Sequence, residues 1–324
     1  MSDKDKCFAG ELYPNSSNTE FESYGFGLNS GPGWFIGDFN GDGKHDLMRY
    51  KNENGGAEVS LSTGSSFNSP VEWSGAGERG GLGWYVGDYN GDGKDDILRY
   101  KNENGGAHVL LSTGSSFSSP VEWSGAGERG GEGWYIGDYN GDGKDDILRY
   151  INENGGAHVL LSTGSSFSSP VEWSGAGERG GLGWYVGDYN GDGKDDILRY
   201  KNENGGAHVL LSTGSSFSPP VEWSGFGERG GEGWYVGDYN GDGLSDLIRL
   251  ATRGIGGAQV TLSFGNRFGS IVTWSNHSIE LDRGKGWYIG DYNGDGYDDV
   301  LKFQNSSGGA IIYLSGGECS PIFE

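Results

Sequence analysis

The sequence predicts an all-β protein, a six-bladed β-propeller with four antiparallel strands per blade, and three observations carry that expectation. A unit of about 50 residues recurs six times, marked by Trp34, Trp84, Trp134, Trp184, Trp234 and Trp287 at spacings of 50, 50, 50, 50 and 53. Each unit holds four short runs of β-type composition, in the second unit 84–88, 96–100, 107–112 and 121–123, separated by turns rich in Gly, Asn, Asp and Ser. The 324 residues include 66 Gly and only 33% hydrophobic residues, too few aliphatic side chains for helical or doubly wound folds, yet 11 Trp, 18 Tyr and 14 Phe supply a packed interior. Four strand runs per unit is the pattern of a propeller blade, whereas one coil of a β-helix is too short to hold them.

The whole chain, 1–324, is expected to form one propeller. The sixth unit stops where its fourth strand should begin. The segment 21–28 lies in register with the fourth strand of the fourth unit, with the same step onward to Trp34 and Trp234, and is therefore expected to serve as the closing outer strand of blade six. Such closure removes an open sheet edge. Residues 1–20 then form an N-terminal extension. Cys319 precedes the vacant strand position and Cys7 lies upstream of the segment expected to fill it, so the two are placed to form a disulfide; in a reducing compartment both would remain thiols.

Between its first and second strands every unit carries Asp-x-Asn-x-Asp-Gly-x-x-Asp. Asp38, Asn40, Asp42 and Asp46 recur as Asp88, Asn90, Asp92 and Asp96, then as Asp138, Asn140, Asp142 and Asp146. They recur again as Asp188, Asn190, Asp192 and Asp196, as Asp238, Asn240, Asp242 and Asp246, and as Asp291, Asn293, Asp295 and Asp299. Position seven, filled by Lys44, Lys94, Lys144, Lys194, Leu244 and Tyr297, would add a backbone carbonyl. Side-chain oxygens at positions one, three, five and nine suit calcium, which takes six to eight oxygen ligands at about 2.3–2.6 Å; magnesium demands a tighter octahedron and zinc softer ligands. Six complete copies imply about six calcium ions per chain, in a structural role. Eighteen of the 46 acidic residues are the aspartates at positions one, five and nine of these loops, so much of the net charge of −23 is ligand.

At these loops the sequence resembles the FG-GAP or VCBS family of calcium-binding propeller repeats, found in the integrin α head and in fungal lectins. The resemblance covers nearly all of residues 21–324 and is closest to the calcium-dependent mushroom lectins. It implies carbohydrate binding, with galactose or N-acetylgalactosamine as the sugar type. The integrin head has seven, more divergent blades.

Successive turns alternate between the two ends of a blade, so the calcium loop and the Ser-Thr-Gly-Ser-Ser-Phe turn share one face. The other face gathers Asn102, Asn104, His108, Trp123, Glu128 and Arg129 in blade two. Blade three has Asn152, Asn154, His158, Trp173, Glu178 and Arg179, and blade four has Asn202, Asn204, His208, Trp223, Glu228 and Arg229. Planar hydrogen-bonding groups beside an indole suit a pyranose, and these residues form the candidate carbohydrate sites. Plainer roles stand beside this one: the tryptophans as core packing, Arg129 paired with Glu128, and His108 as a half-buried strand residue. The histidine gives way to Glu58, Gln259 and Ile311 in blades one, five and six while the loop ligands persist, which separates its role from folding.

No asymmetric catalytic constellation stands out from the repeats, so the chain is expected not to be an enzyme. The partners expected are glycans or glycoproteins, and the fold is compatible with a homo-oligomer. The acidity disfavours nucleic acid, and no run of apolar residues is long enough for membrane insertion. The polar start, MSDKDKCFAG, lacks the apolar run of a secretory signal, which fits a cytoplasmic protein or release by an unconventional route. The competing readings are an integrin-like protein-binding propeller and a structural calcium scaffold.

Overall fold

The computed structural model describes residues 34–50, 56–74, 84–101, 106–124, 134–151, 156–174, 184–201, 206–224, 234–250, 258–273, 287–303 and 310–315. These residues form six antiparallel sheets and no helix. Blade one comprises β1 (Trp34–Gly37), β2 (Asp46–Tyr50), β3 (Ala57–Ser60) and β4 (Val71–Ser74), and blade two β5 (Trp84–Gly87), β6 (Asp96–Lys101), β7 (Gly106–Leu110) and β8 (Val121–Ser124). Blade three comprises β9 (Trp134–Gly137), β10 (Asp146–Ile151), β11 (Gly156–Leu160) and β12 (Val171–Ser174), and blade four β13 (Trp184–Gly187), β14 (Asp196–Lys201), β15 (Gly206–Leu210) and β16 (Val221–Ser224). Blade five comprises β17 (Trp234–Gly237), β18 (Asp246–Leu250), β19 (Ala258–Thr261) and β20 (Val272–Thr273), and blade six β21 (Trp287–Gly290), β22 (Asp299–Phe303) and β23 (Ala310–Tyr313).

Strands pair in sequence order within every blade. The first strands β1, β5, β9, β13, β17 and β21 touch one another in succession, and β21 returns to β1, which closes a ring of six. The expected propeller is therefore the observed one, with four strands in five blades and three described strands in the sixth. The expected closing strand, 21–28, and both Cys7 and Cys319 lie outside the described residues.

The core lies in the seams between blades. Phe167 of blade three meets Tyr89 of blade two edge-on, at 5.8 Å and 82°, and Trp123 of blade two in a tilted pair at 5.4 Å. Phe117, Phe217 and Phe268 occupy the same place between Phe39 and Trp73, Tyr139 and Trp173, and Tyr189 and Trp223. Large rings packed in this way exclude water from the seam and favour edge-on geometry through their quadrupoles.

A dry seam demands that its polar atoms be paired. Ser112 Oγ of blade two donates to the backbone oxygen of Phe39 in blade one at 2.6 Å, and Ser162, Ser212, Ser263 and Ser62 make the same bond to Tyr89, Tyr139, Tyr189 and Tyr292. Ser112 is buried, so water does not readily replace it. Replacing it as Ser112→Ala leaves the Phe39 carbonyl without its partner and is expected to cost about 1–3 kcal/mol. Urea denaturation of the chain checks this, and an unchanged midpoint would show that the carbonyl is satisfied by other means.

Candidate functional site

Each loop between the first and second strands winds around its own first aspartate. In blade two, Asp88 Oδ1 accepts from the backbone N–H groups of Gly91 and Asp92, at 2.7 and 3.1 Å, and Asp88 Oδ2 accepts from Gly93 at 2.8 Å. Asn90 Oδ1 accepts from Asp92 N at 2.8 Å. The winding needs left-handed backbone at Gly91 (φ 75°) and Gly93 (φ 81°), which glycine adopts without strain. At position seven, Lys94 sends its ammonium to Asp92 Oδ2 at 3.0 Å, an exposed pair of small energetic weight.

The aspartate at position nine differs from the others. Asp46, Asp96, Asp146, Asp196, Asp246 and Asp299 are fully buried at the foot of the loop. In blade two, Asp96 Oδ1 accepts from Ser112 N at 2.7 Å, which ties the loop to the Ser-Thr-Gly turn and places both on one face, as the alternation of turns predicts. Asp96, Asp146 and Asp196 each keep an Oδ2 that is buried and has no hydrogen-bond partner. Burial pushes these three carboxyls and that of Asp299 up to about 8, and Asp46 to about 7, with a further push from the loop's other aspartates partly offset by the backbone donor. Asp246 is raised well above its ordinary value, again chiefly by burial.

An ionised buried carboxylate with an orphan oxygen calls for a cation. The residues therefore fit a hard divalent ion by chemistry, with all-oxygen donors at every expected position. As the loops stand, no three acidic or imidazole groups among the described residues are gathered closely enough to hold a metal.

At the opposite end of each blade, one row of side chains crosses the sheet. Backbone register aligns Trp84, Arg99, His108 and Glu122 across β5, β6, β7 and β8. Blades three and four repeat it as Trp134, Arg149, His158 and Glu172, and as Trp184, Arg199, His208 and Glu222. Directly opposed residues share a face, and Trp84, Ile97 and Leu110 of that face pack against Met48, Ala57, Val59 and Trp73 of blade one. His108 thus lies in the seam with the preceding blade. Its Nε2 stands 4.0 Å from Glu122 Oε2, with the imidazole 13% exposed and the carboxylate 48% exposed. The row runs from a dry inner end, where Arg99 is buried, to a wet outer one.

The rows of the other blades are graded. Blade one aligns Trp34, Arg49, Glu58 and Glu72, with the Arg49 guanidinium 5.8 Å from the Trp34 ring centre. Blade five aligns Trp234, Arg249, Gln259 and Thr273, and blade six Trp287, Lys302 and Ile311.

The structure divides the set expected from the sequence. His108, His158 and His208 occupy the row, whereas Trp123, Trp173 and Trp223 are buried in the next seam, on the other side of the blade. The cause is register: Val109 pairs with Val121 and His108 with Glu122, so alternation turns the next residue, Trp123, to the face opposite the histidine, and a bulge follows before Ala107 pairs with Ser124. These indoles are packing residues, with Phe167, Phe217 and Phe268 against them. Asn102, Asn104, Glu128, Arg129 and their counterparts Asn152, Asn154, Glu178, Arg179, Asn202, Asn204, Glu228 and Arg229 lie outside the described residues. Arg99 and Glu122, with Arg149, Glu172, Arg199 and Glu222, are row members that sequence reasoning missed. Alternation from Ile97 to Arg99 was the available signal for the arginine, and alternation between Glu122 and Trp123 was the signal for the glutamate.

Comparison with known proteins agrees with the architecture. Residues 38–99 match the FG-GAP-like repeat family. No curated protein sequence matches the chain. Among solved structures, a lectin of Agrocybe aegerita, described as specifically recognising non-reducing terminal N-acetylglucosamine, superposes with a TM-score of 0.63 at 21% identity, covering 86% of this chain and 78% of that one. The Tc holotoxin pore of Photorhabdus luminescens gives a TM-score of 0.67 at 17% identity over 88% of this chain, which spans 14% of that one. At such identities the likeness speaks for the fold.

The burial of Trp123 carries its own test. Trp123→Ala is expected to destabilise the chain by about 3–5 kcal/mol, as for a large core ring. Chemical denaturation measures it, and a loss below about 1 kcal/mol would contradict the packing role.

Proposed function

We propose that this chain is a multivalent carbohydrate-binding propeller whose loops are held by calcium, and that it has no enzymatic activity. One observation carries the reading: the same row of arginine, imidazole and carboxylate recurs in three seams, each opening outward at the glutamate. Side chains of this kind give the fixed, planar donors and acceptors that pyranose hydroxyls need. The likeness to a lectin supports the ligand class. The ligands proposed are terminal hexoses or N-acetylhexosamines on glycans or glycoproteins; the galactose type follows from the mushroom-lectin resemblance, while the Agrocybe lectin concerns the gluco epimer.

Calcium would be held by the side chains at loop positions one, three, five and nine and by the carbonyl at seven. When bound, it supplies the positive charge that lets the buried aspartates stay ionised and the loops stay wound. Similarity to part of a toxin assembly favours one competing reading, a protein-binding module.

Two experiments test these proposals. On a glycan array, the calcium-loaded chain is expected to bind glycans ending in galactose or an N-acetylhexosamine, and a folded variant with His108→Ala, His158→Ala and His208→Ala is expected to lose most of that signal. Binding that survives would move the sugar off the row, and silence across the array would favour the protein-binding reading.

The second is thermal melting with a chelator. A buried aspartate raised to about 8 keeps its proton in the folded chain over a range where the unfolded chain, with an ordinary value of 3.8, has lost it. Metal-free stability therefore falls as pH rises from about 4 through about 8. Chelation is expected to lower the melting temperature, and by more at pH 8 than at pH 5. A melting curve unmoved by verified calcium removal would refute the structural role.

A further inference from the structure

The six loops are joined to one another. In each seam the residue at loop position eight reaches back onto the first aspartate of the preceding blade's loop. Asp38 N donates to Asp95 Oδ2 at 2.7 Å, while Asp95 N donates to Asp38 O at 2.9 Å. The same double contact joins Asp88 to Asp145 (2.8 and 2.9 Å), Asp138 to Asp195 (2.9 and 2.9 Å) and Asp238 to Asp298 (2.8 and 2.7 Å). Where blade six meets blade one, His45 takes the place: Asp291 N donates to His45 Nδ1 at 2.8 Å and His45 N donates to Asp291 O at 2.7 Å. Where blade four meets blade five, Ser245 N donates to Asp188 O at 2.8 Å, and among the described residues no side-chain bond completes the pair.

Space for this contact is kept by the glycine that ends each inner strand. A Cβ at Gly37 would come within 2.6 Å of Asp95 Oδ2, one at Gly237 within 2.7 Å of Asp298 Oδ2, and one at Gly290 within 2.8 Å of the His45 ring. The aspartate held this way is the hub of its own loop, since its two carboxyl oxygens accept three of the loop's N–H groups. A partner that clamps its backbone from outside also sets where that carboxyl group points.

We propose that Asp95, Asp145, Asp195 and Asp298 are positioning residues that preset the first aspartate of the preceding loop, so that the cation sites are coupled around the ring, most weakly where Ser245 stands. The proposal rests on the calcium reading of the loops. Outer-shell partners of this kind usually affect metal affinity by 10- to 100-fold, because they fix a ligand before the ion arrives. Binding in one loop then stiffens the contact that its neighbour uses, which is a coupling free energy in the ordinary sense.

Calorimetric calcium titration of the full chain tests the proposal with Asp145→Ala, Asp145→Asn and Ser245→Asp. Asp145→Ala is expected to weaken one site, that of the Asp88 loop, by about ten-fold or more. Asp145→Asn, whose Oδ1 can still accept from Asp88 N, is expected to restore most of it. Ser245→Asp adds the missing acceptor and is expected to tighten one site by about ten-fold, and it keeps the test readable if Asp145→Ala fails to fold.

Unchanged affinity in both Asp145→Ala and Ser245→Asp would overturn the inference. So would an Asn variant as weak as the Ala variant, since charge at a distance would then suffice. A wild-type chain that takes up no calcium would refute the calcium reading itself, and with it the inference; the wild-type titration alone tells these failures apart.

Discussion

A four-stranded sheet of this kind has two apolar faces and no means of covering either one alone, so each blade depends on the seams it shares with its neighbours. The seam is packed by aromatic residues from two adjacent blades, closed at one end by the serine-to-carbonyl bond and at the same end by the contact between loops. Phe167 shows the economy of the arrangement: one ring meets Tyr89 beneath a loop and Trp123 beside the row, and so connects the two ends of the blade. A ring of such joints has no free end except where the chain itself begins and stops, and the closure of β21 on β1 removes that exception for the inner strands.

Burial at the seam creates an electrostatic problem that the loops must solve. The ninth position has to be buried, because its Oδ1 accepts the backbone N–H of the serine that reaches into the neighbouring blade. A carboxylate there gains one bond and loses its water, and burial pushes it far above the usual carboxylate range. Asparagine could keep the bond without the charge. Aspartate stands there in all six copies, with an orphan oxygen in Asp96, Asp146 and Asp196 and a long bond from the second loop residue's N–H in Asp46, Asp246 and Asp299, and the proposed cation would give that charge its use. The metal and the seam would therefore form a single stabilising unit.

Much of this was legible in the sequence, and the reason is periodicity. The tryptophan spacing set the blade count, the alternation within each run set the strands, and the order of turns placed the loops and the Ser-Thr-Gly turn on one face. Contacts between blades were not legible, because nothing in a single repeat says which residue of the next one it will meet. Asp95 and Asp145 stand outside the ligand positions of the loop motif, and only the fold brings them onto Asp38 and Asp88. The row failed for a local reason: Glu122 and Trp123 are neighbours on one strand, so only one of them can face the histidine, and the pairing of His108 with Glu122 decides which.

The departures from symmetry argue for the same division of labour. Blades two, three and four are near copies in row, loop and seam, whereas blade six loses the histidine and the arginine together, with Ile311 and Lys302 in their register positions. The loop ligands survive in that blade without exception. The seam changes with it: Ser315 Oγ donates to Asp298 O of its own loop rather than across to the preceding blade, and Trp287 is only half-buried, while Asp299 and Tyr292 keep their buried places. The loop ligands are thus the part common to all six blades, and the rows are the part that varies most from blade to blade. Three equal rows on a rigid ring suit a ligand that is itself repeated on a surface, since linked weak contacts multiply through effective concentration. A single large partner would gain nothing from such repetition.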